Sequence, residues 1–225
     1  MRVGVKSDQD VSSGVVEMFV ITGQIGKVKS KGAKHFCNDK IKNLMRAKPG
    51  DPIHANQMRE DLLFINTNPF RSTTLVYEPG DNFGVTDVTL ETIDKRPLRV
   101  FAGYENTGNL VGGDSRLLTG INWGNAFGFG HQLNGVFITA PDFSKWWGVT
   151  LSYIAPLPSK HLLESWCTFT RATPKIPSRK NLETGEMKGK SSQISSRYKI
   201  PFSKWGIDHQ CILGLDFKRT NNFLT

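Results

Sequence analysis

The residue types that most often carry chemistry are present in this chain, but they are not arranged for it. Histidines stand at His35, His54, His131, His161 and His209, and cysteines at Cys37, Cys167 and Cys211. A zinc site needs such groups in close pairs on a helix or loop, and neither set has that spacing. The thiols, odd in number, read as isolated side chains packed in strands or beside a helix. Asp87, Glu91 and Asp94 lie along one extended stretch and read as an acidic strand face turned to solvent. The segment Gly124-Asn125-Ala126-Phe127-Gly128-Phe129-Gly130 is rich in glycine. It lacks the Lys and Ser or Thr of a P-loop, no helix follows it, and it reads as a tight turn. No G-x-S-x-G nucleophile elbow occurs. The chain is therefore expected to be no enzyme and to use no metal, nucleotide or other cofactor.

What remains is the chemistry of surfaces. The 225 residues carry a net charge of +9, with 22 glycines and 11 prolines that suggest many turns. Basic side chains are dense between 171 and 190: Arg171, Lys175, Arg179, Lys180, Lys188 and Lys190. Such a loop meets nucleic acid, anionic lipid head groups or an acidic partner, although most are simply solvated. No apolar run approaches the roughly 20 residues of a membrane-spanning helix. A β-barrel escapes that test, because only alternate residues of its strands face lipid. The opening residues MRVGVKSDQD contain no apolar signal-peptide core, and 1–13 are expected to be a disordered or truncated leader.

Two regions with different periods follow. Residues 14–35 read as a strand, a glycine turn and a second strand or extended link. Asn38 and Asp39 can cap a short helix that presents Ile41, Leu44 and Met45 on one face, and Lys48-Pro49-Gly50 stops it. Asp51 offers an N-cap with Pro52 at the first position of a second helix, which would bury Met58, Leu62 and Ile65. Asn66-Thr67-Asn68-Pro69 ends that helix. A hairpin comes next, with strands at 73–77 and 85–91 and a turn at 78–82. Strand, helix, helix, strand, strand over 14–95 predicts a small α+β module with its helices on one sheet face.

From Arg99 onward the helical period vanishes. Strands are predicted at 98–106, 115–124, 131–140, 146–155, 161–171, 191–200 and 209–219. In the fourth, Trp147, Val149, Leu151, Tyr153 and Ala155 alternate with Gly148, Thr150 and Ser152, so the two sets take opposite faces. In the last, Cys211, Leu213, Leu215 and Phe217 oppose Gln210, Gly214, Asp216 and Lys218. The connections at 125–130, 156–160 and 201–208 are compact. They alternate with 106–114, 141–145 and 172–190, of which only the middle one is short. Trp123, Phe127, Trp146, Trp147, Trp166 and Trp205 fall near strand ends, as an interfacial aromatic girdle would. A soluble β-sandwich whose core holds those aromatics fits the same periodicity.

Asn66-Thr67-Asn68-Pro69-Phe70-Arg71, then Tyr77-Glu78-Pro79-Gly80 and Gly84-Val85-Thr86-Asp87, resemble the end of the last POTRA domain in the two-partner secretion transporters, the haemolysin-activator-type members of the Omp85 superfamily. Arg96-Pro97-Leu98-Arg99-Val100-Phe101-Ala102-Gly103-Tyr104-Glu105 looks like their lead-in to the barrel. Gly120-Ile121-Asn122-Trp123-Gly124, Tyr153-Ile154-Ala155-Pro156-Leu157-Pro158 and Asp216-Phe217-Lys218-Arg219-Thr220 look like later strands, in the family's order.

The resemblance implies an α+β POTRA module at 14–95 followed by an all-β antiparallel meander at 96–225. That meander would be a partial transmembrane β-barrel of about seven strands, open, from a closed barrel of about sixteen. It implies a pore component in the cell outer membrane, in contact with lipid, that secretes an unfolded exoprotein without nucleotide or nucleic acid. The POTRA domain would lie in the periplasm. It would catch the exoprotein by strand addition at an edge formed by Thr73, Leu75 and Tyr77, with Met58 and Leu62 flanking the groove. Simple core packing explains those side chains as well. Strands and a pore-inserted loop of the family have no counterpart here, so the chain is expected to be a non-autonomous fragment. The alternatives are a barrel-assembly factor of the same superfamily and a soluble basic all-β module binding nucleic acid or polysaccharide.

Overall fold

The computed structural model describes residues 2–5, 9, 12, 14–108, 113–173, 187–205 and 207–224. The chain divides into two units, Met1–Lys95 and Arg96–Thr225. The first begins with β1 (Arg2–Val5) and β2 (Met18–Ile21), paired antiparallel in a two-stranded ribbon. Arg2–Val5 falls inside the expected disordered or truncated leader and is a strand instead. Four residues carry too little pattern to read alone, and only their partner further along the chain satisfies their backbone groups.

The rest of this unit is β3 (Gln24–Lys31), α1 (Asn38–Asn43), α2 (Ala55–Ile65), β4 (Arg71–Pro79) and β5 (Val85–Asp94). The sheet order is β3-β5-β4, with β5 parallel to β3 and antiparallel to β4. Parallel neighbours need a crossover, and the helices and β4 supply it. Ile25, Val28, Phe36, Ile41, Met45, Met58, Ile65, Val88 and Leu90 form the core. Each such burial contributes about 1.5–3 kcal/mol. As the central strand β5 buries Val88 and Leu90 completely, and the small Thr89 between them is only 3% exposed. Flanking strands on both sides shield more of β5 than its uneven alternation suggests.

Both helix starts differ from the capping pattern. Cys37 is the N-cap of α1, without a side-chain hydrogen bond, and the Asn38 carboxamide faces Ser30 Oγ and Ala33 N. Nor do Asp51 and Pro52 open α2. The Asp51 carbonyl accepts from Ile25 N at 2.8 Å, Ile53 N donates to Gly23 O at 3.0 Å, and Pro52 bridges Gln24. The helix begins only at Ala55, after His54. A sheet-like contact with β3 outcompetes the local cap.

The described residues of the second unit form one seven-stranded antiparallel sheet in sequential order. Its strands are β6 (Leu98–Glu105), β7 (Arg116–Ala126), β8 (His131–Thr139), β9 (Trp146–Pro156), β10 (Leu162–Ala172), β11 (Met187–Lys204) and β12 (Ile207–Leu224). The last two run 18 residues each, so the connection expected at 201–208 is mostly strand. Pro201 suggests a stop, but β10 has already ended opposite Lys199. With one side of β11 unpaired there, a proline without an N–H is tolerated. Among the described residues, β6 and β12 are the sheet's edges.

Candidate functional site

In the first unit the residues expected to capture an extended segment lie on β4, an edge of the three-stranded sheet, and on the neighbouring α2. Thr73 is 2% exposed, and its hydroxyl meets that of Thr92 at 2.9 Å. Leu75 is partly buried against the core, while Tyr77 is half exposed, with its hydroxyl 4.0 Å from Met58 Sδ. Met58 belongs to the core, at 1% exposure, and Leu62 is half-buried on the same helix. A recess of about 190 Å³ opens beside Met58, walled in part by Ile25, Pro52, His54 and Gln57.

The backbone along this edge is not uniform. Asn66, which caps the C-terminus of α2, donates from Nδ2 to Thr73 O at 2.9 Å and accepts from Thr73 N at 2.8 Å. That carboxamide makes the two bonds a neighbouring strand would make. Alternate residues of an edge strand aim their backbone groups the same way, so Leu75 and Tyr77 present theirs outward while Thr73 is already occupied. Sequence reading missed this, although Asn66 stands in the motif that signalled the domain's end.

Two carboxylates of this unit have buried side chains. Asp94 is no solvent-facing member of an acidic stripe: its side chain is 1% exposed. It accepts from the backbone N–H groups of Lys34, His35 and Phe36 at 2.9, 2.7 and 3.1 Å. Burial pushes this carboxyl upward, but the donors from His35, Lys34 and Phe36 outweigh it and hold it below the usual range. Asp61 is fully buried on α2 and accepts from Arg46 N at 2.7 Å and Arg46 Nε at 2.8 Å. Arg71, whose Nε donates to Ile65 O, lies over the Phe36 ring. Burial lowers its pKa to about 10. These groups brace the fold around β4.

In the second unit the strand register sorts side chains onto two faces. One is polar and internally bonded. Asn122 Nδ2 donates to Asn134 Oδ1 at 2.9 Å, and Asn134 Nδ2 donates to Ser152 Oγ at 3.2 Å. Lys199 pairs with Glu164 at 2.7 Å and Arg197 with Asp216 at 2.7 Å. Arg197 reaches Asp216 across Gly214, where a Cβ would lie 2.7 Å from its side chain. Gly120 likewise leaves room for the Phe101 ring, 2.3 Å from where a Cβ would stand.

The opposite face is apolar and uncovered. Val100 is 69% exposed, Ile194 62%, Leu215 80% and Phe217 66%, and no second sheet packs on them among the described residues. Aromatic pairs border this face at both ends. Trp147 meets Phe169 at 5.4 Å and Phe137 at 6.1 Å at one end, and Trp123 meets Phe127 at 5.3 Å at the other. The girdle is narrower than its sequence signal. Trp146 and Trp166 turn to the polar face, where they stack under Arg116 and Arg197. Cys167 and Cys211 sit exposed on the apolar face rather than packed, and Cys37 is exposed in the first unit.

No protein-family model matches the chain. Over 122 residues it is 24% identical to the outer membrane transporter CdiB of Escherichia coli O6:K15:H31 (strain 536 / UPEC). It is 23% identical to another Escherichia coli CdiB over the same length. The relatives of this chain are outer membrane transporters. The match takes in 54% of this chain and 21% of the CdiB sequence, about a fifth of that relative's length. The solved CdiB of Escherichia coli superposes with a TM-score of 0.85 at 18% identity, covering 99% of this chain and 41% of that one. CdiB of Acinetobacter baumannii gives 0.73 at 17% identity, with 99% and 42% covered. BamA from Haemophilus ducreyi, in a structure lacking POTRA domains 1-3, gives 0.54 at 14% identity, with 99% and 41% covered. The fold is thus that of part of CdiB. The described strands of this unit form one sheet, with no second sheet packed on its apolar face as a β-sandwich would have.

Proposed function

We propose that this chain contributes the periplasmic module and part of the wall of an outer-membrane pore that secretes an unfolded exoprotein by the two-partner route. The observation that carries the reading is the bare apolar face of the β6–β12 sheet opposite a hydrogen-bonded polar face. Hydrocarbon is the medium that such a face needs, and the polar side suits a wet lumen. The first unit is then a POTRA-like domain, and its β4 edge at Leu75 and Tyr77 adds a strand from the passenger through backbone bonds that make little demand on sequence. Nothing in this scheme uses a nucleotide, metal or catalytic residue. The higher TM-score to CdiB than to BamA supports a secretion pore over a barrel-assembly factor.

The native thiols provide the test. In vesicles holding the chain, a charged, membrane-impermeant maleimide should modify Cys37 and leave Cys167 unmodified, as read by mass spectrometry of the peptides. Equal labelling of both would remove hydrocarbon from the apolar face and end the proposal.

A further inference from the structure

The apolar face of the second unit changes character at one end. Along β10 it runs Leu163, Ser165, Cys167, Phe169 and then Arg171. On β11, taken from its far end, it runs Tyr198, Ser196, Ile194, Ser192 and then Lys190 and Lys188. On β12 it runs Leu213, Leu215, Phe217 and then Arg219. The switch falls within one residue pair on all three strands: Arg171 and Lys190 stand level with Trp147, and Arg219 one pair earlier, level with Phe169.

Register makes the cluster tight. Arg171 stands directly opposite Lys190, and Arg219 pairs with Ser192, on the diagonal from Lys190. Opposite residues have Cβ atoms about 4.5–5.5 Å apart and diagonal ones about 7–8 Å. All three cations are exposed, and residues 169–172, 187–194 and 217–224 contain no Asp or Glu. Like charges opposite one another destabilise a sheet, so this arrangement calls for an anion from outside the strands. Sequence alone placed Arg171 and Lys190 in a basic segment that is usually just solvated. The register shows them sharing a face with Phe169, Ile194 and Phe217.

We propose that Arg171, Lys190 and Arg219 bind the phosphate of a phosphorylated membrane lipid whose acyl chains lie on Phe169, Ile194 and Phe217. The site matches an amphiphile and nothing simpler. An inorganic anion would leave the adjoining apolar surface bare, and a nucleic acid has no chains to cover it. Guanidinium groups hold phosphate oxygens in pairs while the ammonium adds a point charge. Cations at this level cost little in a barrel, about 0–1 kcal/mol near the interface.

The inference rests on the lipid-facing reading of the sheet, and one experiment separates the two. The full chain in detergent micelles is titrated with bisphosphorylated lipid A, with the same lipid stripped of phosphate, and with inorganic phosphate, bound lipid being read by native mass spectrometry. Lipid A should bind at least tenfold tighter than its dephosphorylated form, and inorganic phosphate should not displace it at equal concentration. Arg171→Gln, Lys190→Gln and Arg219→Gln should each weaken lipid A about fivefold, and the triple variant roughly a hundredfold. Lys218→Gln, which removes a charge from the polar face, should leave binding unchanged. Each single variant is checked for folding by circular dichroism, so a misfolded triple variant would not remove the test. Equal affinity for both lipids, or wild-type binding by the folded single variants, overturns the phosphate site. Displacement by inorganic phosphate overturns the lipid as its ligand. Maleimide labelling of Cys167 in vesicles overturns the lipid-facing reading beneath it.

Discussion

Asp94 illustrates how an ordinary carboxylate becomes structural. Its side chain accepts backbone N–H groups of Lys34, His35 and Phe36, and so ties the stretch before α1 to the end of β5. Its folded pKa lies below the ordinary 3.8, so its stabilising contribution is fully present above that value and is lost as pH falls through the lower, folded one. Hydrogen-exchange protection at 34–36 should therefore decline below about pH 4 in the native chain. In Asp94→Asn it should already be reduced at pH 7, with little further change over that window. An unchanged protection factor at pH 7 would count against this tether. On the second unit a single substitution distinguishes media. Leu151 is 46% exposed on the apolar face. In water Leu151→Arg would be worth within about 0.5 kcal/mol, whereas at a bilayer midplane it costs about 2–4 kcal/mol. Denaturant titration in lipid vesicles against detergent-free buffer reads the difference, and near-equal losses would contradict the lipid-facing assignment.

At the scale of elements, the proposed strand addition at β4 would be limited by the Asn66 clasp, which already occupies Thr73. Removing the carboxamide in Asn66→Ala leaves the buried N–H and C=O of Thr73 unpaired, at about 1–3 kcal/mol. Exchange at Thr73 should accelerate in the free protein and slow again when an extended peptide binds, the edge having lengthened toward Arg71. If the amides of Leu75 and Tyr77 exchange as fast with peptide bound as without it, strand addition at β4 is wrong. The elements that sequence misjudged share one cause. Asp51 and Pro52 carry good capping chemistry, yet the Asp51 carbonyl is bonded to Ile25 and Pro52 bridges Gln24, both on β3. Pro201 reads as a break, yet β11 continues because β12 pairs it on one side alone. Asp61 sits on the buried face of α2 because Arg46 reaches it from the α1 side, a partner that helical periodicity cannot supply. Each outcome was decided by a residue outside the local window.

For the molecule as a whole, parity constrains what the sheet can become. Seven antiparallel strands begin and end in the same direction, so β6 and β12 run parallel to each other. Two copies inserted the same way would meet at parallel seams, and an all-antiparallel closure needs an odd number of further strands, from the same polypeptide or another. Until both edges are paired, lipid leaves their N–H and C=O groups unsatisfied, at several kcal/mol per group. The chain alone should accordingly show no stepwise conductance in planar bilayers, and well-defined channel openings from it would refute this account. The alternation of apolar and polar residues by itself determined seven strands and their two faces, because side chains in a strand change sides at every residue whatever lies beyond. The loss of helical period from Arg99 onward likewise suggested a second region built of strands alone. Which medium meets each face was beyond it, since a sandwich core and a lipid-facing wall share one pattern. Only the tertiary structure showed Leu215 and Phe217 without a second sheet over them among the described residues, the observation from which the lipid-facing reading is proposed. It also brought Arg171, Lys190 and Arg219 onto one patch, because strand register joins residues that the chain itself keeps far apart.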